Sequence, residues 1–514
     1  MAETKREIER KYESDDSGLP DLTGVAGVAA VLDKGVAELD ATYYDTADQR
    51  LAAASLTLRR RTGGSDAGWH LKFPVAPGVR DEIRAPLSDT LPRALAGLVR
   101  SRVRDAELVP VVRLRSARDV RDLVDDEGRL LAEVSVDAVR ADRLTGPGRS
   151  AQWTEIEVEL ADGGDPRFLD KVEKRLGKAG VRPSASASKL ARALAETGPK
   201  KKRGRAERGR AGEKPSTGQK PSTGPVTAGD HVLAYLRAQR DALVALDPAV
   251  RRDLPDSVHQ MRVATRRARS ALRSFAKVLD RAVTDPIGQE LKWLAGELGV
   301  DRDQEVLTER ITTALTELPR PLVTGPVRNR LRTWSRARSG GSRRRLIAVL
   351  DGRRYLELLD AFDRLLDDPP LLSAAAGPPE KVIAKAVRKD FGQVAALVEE
   401  ALGQPPGADR DLALHEARKK AKRTRYSAEA AVSALGDRAT DAVRGMKSLQ
   451  SLLGDHQDSV MTREALRDLA AQAHAAGESA FTYGLLYGRE ERRAERVEGA
   501  LPEAWGSIRA AVAV

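Results

Sequence analysis

"GPKKKRGRAERGRAGEKPSTGQKPSTGPVTAG", residues 198–229, contains no large apolar side chain apart from Val226, repeats KPSTG, and sets nine cations against two acids. A segment that cannot bury apolar surface has nothing to offset the entropy of ordering, and like charge keeps it extended, so it reads as a disordered basic linker. On its two sides the hydrophobic period differs. Before it, apolar and polar residues alternate with period two; after it they recur at helical spacing. That change sets the expected fold class, an α+β multidomain chain with a β-rich domain over 1–197 and an all-α domain over 230–514. The net charges of the three stretches are −2, +7 and +7. The chain is therefore not a uniformly basic nucleic-acid coat; its cations lie in stripes and in the linker.

At 514 residues the chain can bury several cores. It has no cysteine, which excludes disulfides and thiolate chemistry and fits a reducing cytosol. The start, MAETKREIERKY, is charged at once, and no window approaches the ~18 uninterrupted apolar residues of a spanning helix. A soluble, cytoplasmic protein is expected.

Upstream of the linker, "REIERKY", "LTLRRR", "WHLKFP", "RDEIRAPL", "LAEVSVDAV" and "WTEIEVEL" read as strands. One parity carries charge of both signs: Glu7, Glu9 and Lys11, then Arg59 and Arg61, His70 and Lys72, Arg80, Glu82 and Arg84, Glu133 and Asp137, and Glu155, Glu157 and Glu159. The other holds Ile8, Leu58, Leu71, Ile83, Val134, Ile156 and Val158. Two architectures accommodate this pattern: a half-buried antiparallel sheet with its polar face in water, or a closed ring with the charged parity inward. The clustering of acids on the first and last strands and of cations between them suits the ring. Carboxylates at i, i+2 are hard ligands for Mg²⁺ or Mn²⁺, and facing Arg and Lys hold phosphate oxygens.

Glu7-Ile8-Glu9-Arg10-Lys11 resembles the ExExK signature of the CYTH superfamily, the triphosphate tunnel metalloenzymes, and "LRRR", "HLKF", "EVSVD", "EIEVEL" and Ser188-Lys189 follow in the family's order over residues 3–195. The resemblance implies an eight-stranded antiparallel tunnel that binds a linear triphosphate or polyphosphate and hydrolyses it with a divalent metal. Carried over, it makes Glu7, Glu9, Glu157, Glu159 and Asp137 the metal ligands. Lys11, Arg59, Arg61, Lys72, Arg118 and Lys189 become phosphate holders, with Lys11 also positioning water beside Glu7 and Glu9. Two positions depart from the family, Thr57 in place of an arginine and Arg84 in place of an acid. Arg113 and Arg115 read equally as surface cations.

Downstream, "HQMRVATRRARSALR" (259–273) carries His259, Arg262, Arg266, Arg269 and Arg273 at offsets 0, 3, 7, 10 and 14, one stripe on a helix. "HEARKKAKRTRY" (415–426) repeats the spacing with His415, Arg418, Lys422 and Arg425. "LKWLAGELGVDRD" (291–303) aligns with "MKSLQSLLGDHQD" (446–458), pairing Lys292 with Lys447, Gly299 with Gly454 and Asp303 with Asp458. Offsets of 156 and 155 residues indicate an internal duplication. Like charges at i, i+4 cost roughly 0.2–0.5 kcal/mol per pair, so two such stripes suggest a groove for an anionic polymer. Aromatics make up only 4% of the chain, against the stacking platforms that bases need. The region 228–512 resembles the CHAD domain through the two histidine stretches, Lys419 and Tyr426 included, and through "LGVDRD" and "LGDHQD". That resemblance implies two similar helical bundles and a basic surface for inorganic polyphosphate. His259 and His415 either contact phosphate or orient the first helical turn.

The expected function is capture of polyphosphate by the helical domain and metal-dependent hydrolysis of phosphoanhydride bonds in the tunnel. The alternatives are a non-enzymatic polyphosphate-binding or granule-targeting protein and an adenylate cyclase.

Overall fold

The computed structural model describes residues 3–14, 18–146, 148–198, 226–339 and 342–512, without the side chains of 300–303, 305, 338, 339 and 342. The chain divides into two compact units, Met1–Ser216 and Thr217–Val514. Most of the expected linker, 199–225, lies outside the described residues, as does the Asp303 side chain.

The first unit is a ring. Strands β1 (Glu3–Ser14), β2 (Ala30–Asp45), β3 (Thr57–Thr62), β4 (Gly68–Ala76), β5 (Val79–Pro86), β6 (Val109–Val124), β7 (Leu130–Arg143) and β8 (Ser150–Leu160) pair antiparallel in the order β5-β4-β3-β2-β6-β7-β8-β1, and a β1–β5 pairing closes it. A two-residue strand, β9 (Arg182–Pro183), adds to the far end of β1. Six of the eight strands are readable by alternation; β2 and β6 are not. In β2 a bulge between Asp33 and Val36 breaks the period, and both strands carry charge on each parity.

Helices α1 (Arg50–Ala53), α2 (Arg93–Val103), α3 (Arg167–Lys178) and α4 (Lys189–Glu196) complete the unit. The apolar parity faces outward beneath them, the reverse of an ordinary barrel. Phe168, Leu169, Val172 and Leu176 fall on one face of α3 and pack against Tyr12, Val134, Ile156 and Val158. Each such side chain contributes roughly 1.5–3 kcal/mol of burial. Leu95, Leu98 and Val99 of α2 cover Leu58, Trp69, Leu71 and Ile83, and Leu190 and Ala193 of α4 cover Leu114 and Val139. With the apolar faces used outside, the charged parity is left to line the lumen.

The second unit is helical: α5 (Ala228–Arg251), α6 (Ser257–Ser274), α7 (Arg281–Glu297), α8 (Val300–Thr316), α9 (Val327–Ser339), α10 (Ser342–Asp351), α11 (Arg353–Asp367), α12 (Pro379–Gly403), α13 (Ala408–Leu435), α14 (Asp437–Ala475) and α15 (Phe481–Ala511). A capping box of Thr227 and Asp230 starts α5 at Ala228, two residues before the expected domain start. Packing repeats between the halves: α5 on α6 and α6 on α7, then α12 on α13 and α13 on α14. The duplicated glycines also share a contact. A Cβ at Gly299 would stand 2.7–3.0 Å from the Arg262 guanidinium, and one at Gly454 3.5–4.0 Å from that of Arg418. The halves differ in that Gly299 separates α7 from α8, whereas α14 runs straight through Gly454. Among the described residues no helix is long and apolar enough to cross a membrane.

Candidate functional site

The ring encloses a cavity of about 520 Å³. Ten cations and seven carboxylates line it, an excess of three positive charges, so the lumen suits an anion. The carboxylates concentrate on β1 and β8, where antiparallel register sets Glu9 opposite Glu159 and Lys11 opposite Glu157. Facing them, β3 supplies Arg59 and Arg61, β4 supplies Lys72 and β6 supplies Arg118.

Glu7, Glu9, Glu157 and Glu159 each already have a cation. Glu7 pairs with Lys72, with Arg84 at 3.6 Å. Glu9 lies 3.2 Å from Lys11 and 3.7 Å from Arg80, and Glu159 2.6 Å from Lys5. Glu157 contacts Lys11, Arg118 at 2.9 Å and Lys189 at 2.6 Å. Burial opposes charge on Glu157, but Lys11, Lys189 and Arg118 outweigh it and hold the carboxyl well below its usual range. At Glu9 burial also opposes charge, and Lys11 and Lys72 lower the pKa, whereas at Glu7 burial prevails over Lys72 and raises it. On the basic wall, burial together with Arg59 and Arg118 pushes Arg61 down, although Asp66 is its ion-pair partner.

Of the expected metal ligands, Glu7, Glu9, Glu157 and Glu159 line the cavity. Asp137 does not; it is fully buried behind the wall, where Arg118 grips it with two bonds of 2.8 and 2.9 Å. Asp137, Glu155 and Glu157 bring carboxylate oxygens within 4.8 Å of one another. The Lys189 ammonium sits among them at 3.1, 2.7 and 2.6 Å, delivered by the first turn of α4, whose N-cap Ser188 accepts from Ala191. The lysine is thus the cation of that cluster. Trp153 fixes Glu155 from behind, its Nε1 donating at 2.6 Å.

His70 is buried and faces Glu82 through Nδ1 and the Asp66 carbonyl through Nε2, both at 2.9 Å. Burial pushes its pKa down, yet two acceptors need two N–H donors, so the imidazolium is the form that satisfies both. His70 therefore supports Glu82 and is not a free base. Glu82, fully buried, also lies near Lys72 (3.5 Å), Arg59 (3.7 Å) and Arg84. Glu82→Gln removes a buried partner of Arg59, Lys72 and Arg84 and lowers stability by about 3–5 kcal/mol, read as a fall in denaturation midpoint; an unchanged midpoint would show that the carboxylate is dispensable. Arg113 and Arg115 lie outside the lumen, paired with Asp40 and Asp142. Sequence reading missed Lys5, Tyr43 and Asp66. Lys5 was findable by extending the parity of Glu7 back one step, but Tyr43, which accepts from Arg59 at 3.3 Å, sits on the unread β2.

In the helical unit α6 packs against α13 and brings the stripes together. Lys422 lies among Arg418, Arg266 and Arg262, with Asp458 as the opposing charge. Further along, Arg269 neighbours Arg266, Arg273 and Arg423. His415 neighbours Gln457. His259, Lys292 and Lys447 are exposed. Lys419 pairs with Glu416 at 2.6 Å, and Arg425 turns toward Glu429 at 3.5 Å. Tyr426 is buried between Arg425 and Arg267, at 4.8 and 5.9 Å from its ring centre, and so is no open platform. Arg423, off the expected stripe, is drawn in by buried Asp390 of α12.

A closed antiparallel ring with a charged lumen, followed by helices with facing cationic stripes, defines a chain of a CYTH domain and a CHAD domain. The CYTH domain family matches residues 5–194 and the CHAD domain family 234–467. The chain belongs to the CYTH–CHAD family, and it is 39% identical over 526 residues to "Uncharacterized protein Rv2226" of Mycobacterium tuberculosis, covering 98% of this chain and 97% of that protein. Among solved structures it is similar to PptA from Streptomyces chartreusis (22% identity, 55% of this chain and 99% of that one, TM-score 0.46). A CHAD domain from the plant Ricinus communis is also similar (23%, 56% and 97%, TM-score 0.41).

Proposed function

We propose that the ring binds the phosphate chain of a triphosphate or polyphosphate and hydrolyses its anhydride bonds with Mg²⁺ or Mn²⁺, while the helical unit captures inorganic polyphosphate. The observation that carries this reading is the cavity lining, a net positive lumen in which four of the seven carboxylates lie on the paired strands β1 and β8. The excess of cations suits the anion, and the carboxylates suit a divalent cation arriving with it. Donor type supports the fit. Glu7, Glu9, Glu157 and Glu159 offer only carboxylate oxygens, the hard donors that suit Mg²⁺ or Mn²⁺. When bound, such an ion supplies charge to the phosphate oxygens and lowers the pKa of water. Arg59, Arg61, Lys72 and Arg118 hold the chain, and Lys11, between Glu9 and Glu157, is placed to orient the attacking water.

In the helical unit the cations of α6 and α13 act as a cradle, with Arg423 and Lys420, a neighbour of Arg423 and Arg273, added to the expected set. The basic linker, 198–229, then couples the two by effective concentration. The observation that favours a second reading, binding without turnover, is the Lys189 ammonium already seated among Asp137, Glu155 and Glu157.

The test is phosphate release from tripolyphosphate and long-chain polyphosphate by the full chain, with Mg²⁺, Mn²⁺ or EDTA, beside binding measured across a salt series. Metal-dependent release is expected, together with affinity that falls linearly on a log–log salt plot. Salt-sensitive binding without release under any metal leaves only the second reading. Absence of binding at low salt removes both.

A further inference from the structure

We infer that Asp411, His456 and Glu498 form a binding site for a divalent transition-metal ion, Zn²⁺ before Mn²⁺, within the helical unit. The inference is independent of the polyphosphate reading. The three residues come from three helices, the first turn of α13, the middle of α14 and α15, and each offers a donor atom within 4.8 Å of the other two. His456 is 1% exposed. Its Nε2 stands 3.3 Å from Asp411 Oδ1 and 3.2 Å from Glu498 Oε1. Two donors each about 2.0–2.2 Å from a tetrahedral ion stand about 3.3–3.6 Å apart, so these separations suit Zn²⁺ with little movement.

The hydrogen-bonding alternative serves the trio less well. One ring nitrogen carries at most one proton, yet it faces two carboxylates, whereas an ion bonds all three donors at once. The outer carboxylate oxygens are held separately: Arg463 lies 3.5 Å from Asp411 Oδ2, and Arg410 3.3 Å from Glu498 Oε2. That leaves Oδ1 and Oε1 directed at the imidazole and supplies the outer support that metal-ligating carboxylates ordinarily have. One imidazole and two carboxylates suit Zn²⁺ or Mn²⁺, and a three-ligand set keeps a position for water or an incoming oxygen. The duplicated fold does not require the trio. At the offsets of the repeat, Pro255 and Asp301 stand where Asp411 and His456 stand in the second half.

The experiment uses the full chain stripped with EDTA and loaded with Zn²⁺, its metal content measured after gel filtration, and with Co²⁺ as a visible-absorption probe. Because the tunnel is itself proposed to hold a divalent ion, Glu7→Gln/Glu9→Gln serves as the background. In that background one Zn²⁺ per chain and the absorption bands of low-symmetry Co²⁺ are expected, and His456→Gln should weaken Zn²⁺ binding at least 100-fold and remove the bands. Should His456→Gln fail to fold, Glu498→Gln, at a half-buried position, makes the same comparison. No Zn²⁺ in the background protein overturns the site. So does a stoichiometry and a Co²⁺ spectrum that neither substitution alters.

Discussion

Replacing Glu7 and Glu9 together by glutamine is expected to reduce metal-dependent phosphate release from tripolyphosphate by about 10³-fold or more, while polyphosphate capture persists. The two side chains project from β1 into the cavity, where Lys72 and Arg84 meet the first and Lys11 and Arg80 the second. Glutamine keeps shape and hydrogen bonding but removes both negative charges. A divalent ion then loses half of the four carboxylates proposed to hold it, and its contribution to the transition state, several kcal/mol, corresponds to that factor. The proposed capture site is the set of α6 and α13 cations in the other unit, so binding and its salt dependence should be unchanged. Steady-state release by wild-type and variant chains, with thermal melts to confirm folding, checks the prediction. Undiminished release from the variant would remove Glu7 and Glu9 from the proposed metal site.

Polyphosphate affinity should fall as pH rises through neutrality, by up to roughly tenfold per unit above pH 7. Burial and the neighbouring Arg418, Arg266 and Arg262 push the Lys422 pKa down to about 7, and Asp458 opposes them only in part. The sign follows from comparing states. A polyanion beside Lys422 favours its charged form, so the bound pKa lies above the free one. Below pH 7 the lysine is charged in both states and affinity is greatest. Between about 7 and the bound pKa, binding must take up a proton, and affinity declines. Without ligand the sign is opposite: the unfolded chain, with lysine near its ordinary value of about 10.4, binds more protons than the folded one, so stability rises from pH 7 toward 10. Calorimetry in buffers of different ionisation enthalpy should detect the uptake. Lys422→Arg should flatten the pH profile and retain binding; a profile it leaves as steep as before would assign the proton elsewhere.

Legibility differed between the two units for identifiable reasons. On β1, β3, β4, β5, β7 and β8 strict alternation marks both strand and lumen parity, which is why Glu7, Glu9, Arg59, Arg61, Lys72, Glu157 and Glu159 were nameable without coordinates. The bulged β2 conceals its period and with it Tyr43. Along α6 and α13 the 3-4 spacing marks the stripes, but which flanking cations join them depends on how the helices cross. Arg423 enters because Asp390 of α12 holds it, and Arg425 leaves because Glu429 attracts it.

Local pattern therefore determined six of the eight ring strands, the helical half, the duplication and the charge of each face they carry, because periods of 2 and 3.6 are properties of neighbouring residues. Only the tertiary structure decided which charges meet. It placed Lys189 among Asp137, Glu155 and Glu157, removed Asp137 from the lumen, and drew Asp411, His456 and Glu498 together from helices up to 87 residues apart in sequence. Long-range pairing depends on strand closure and helix crossing, which no local period encodes, and the charges that meet there set the chemistry.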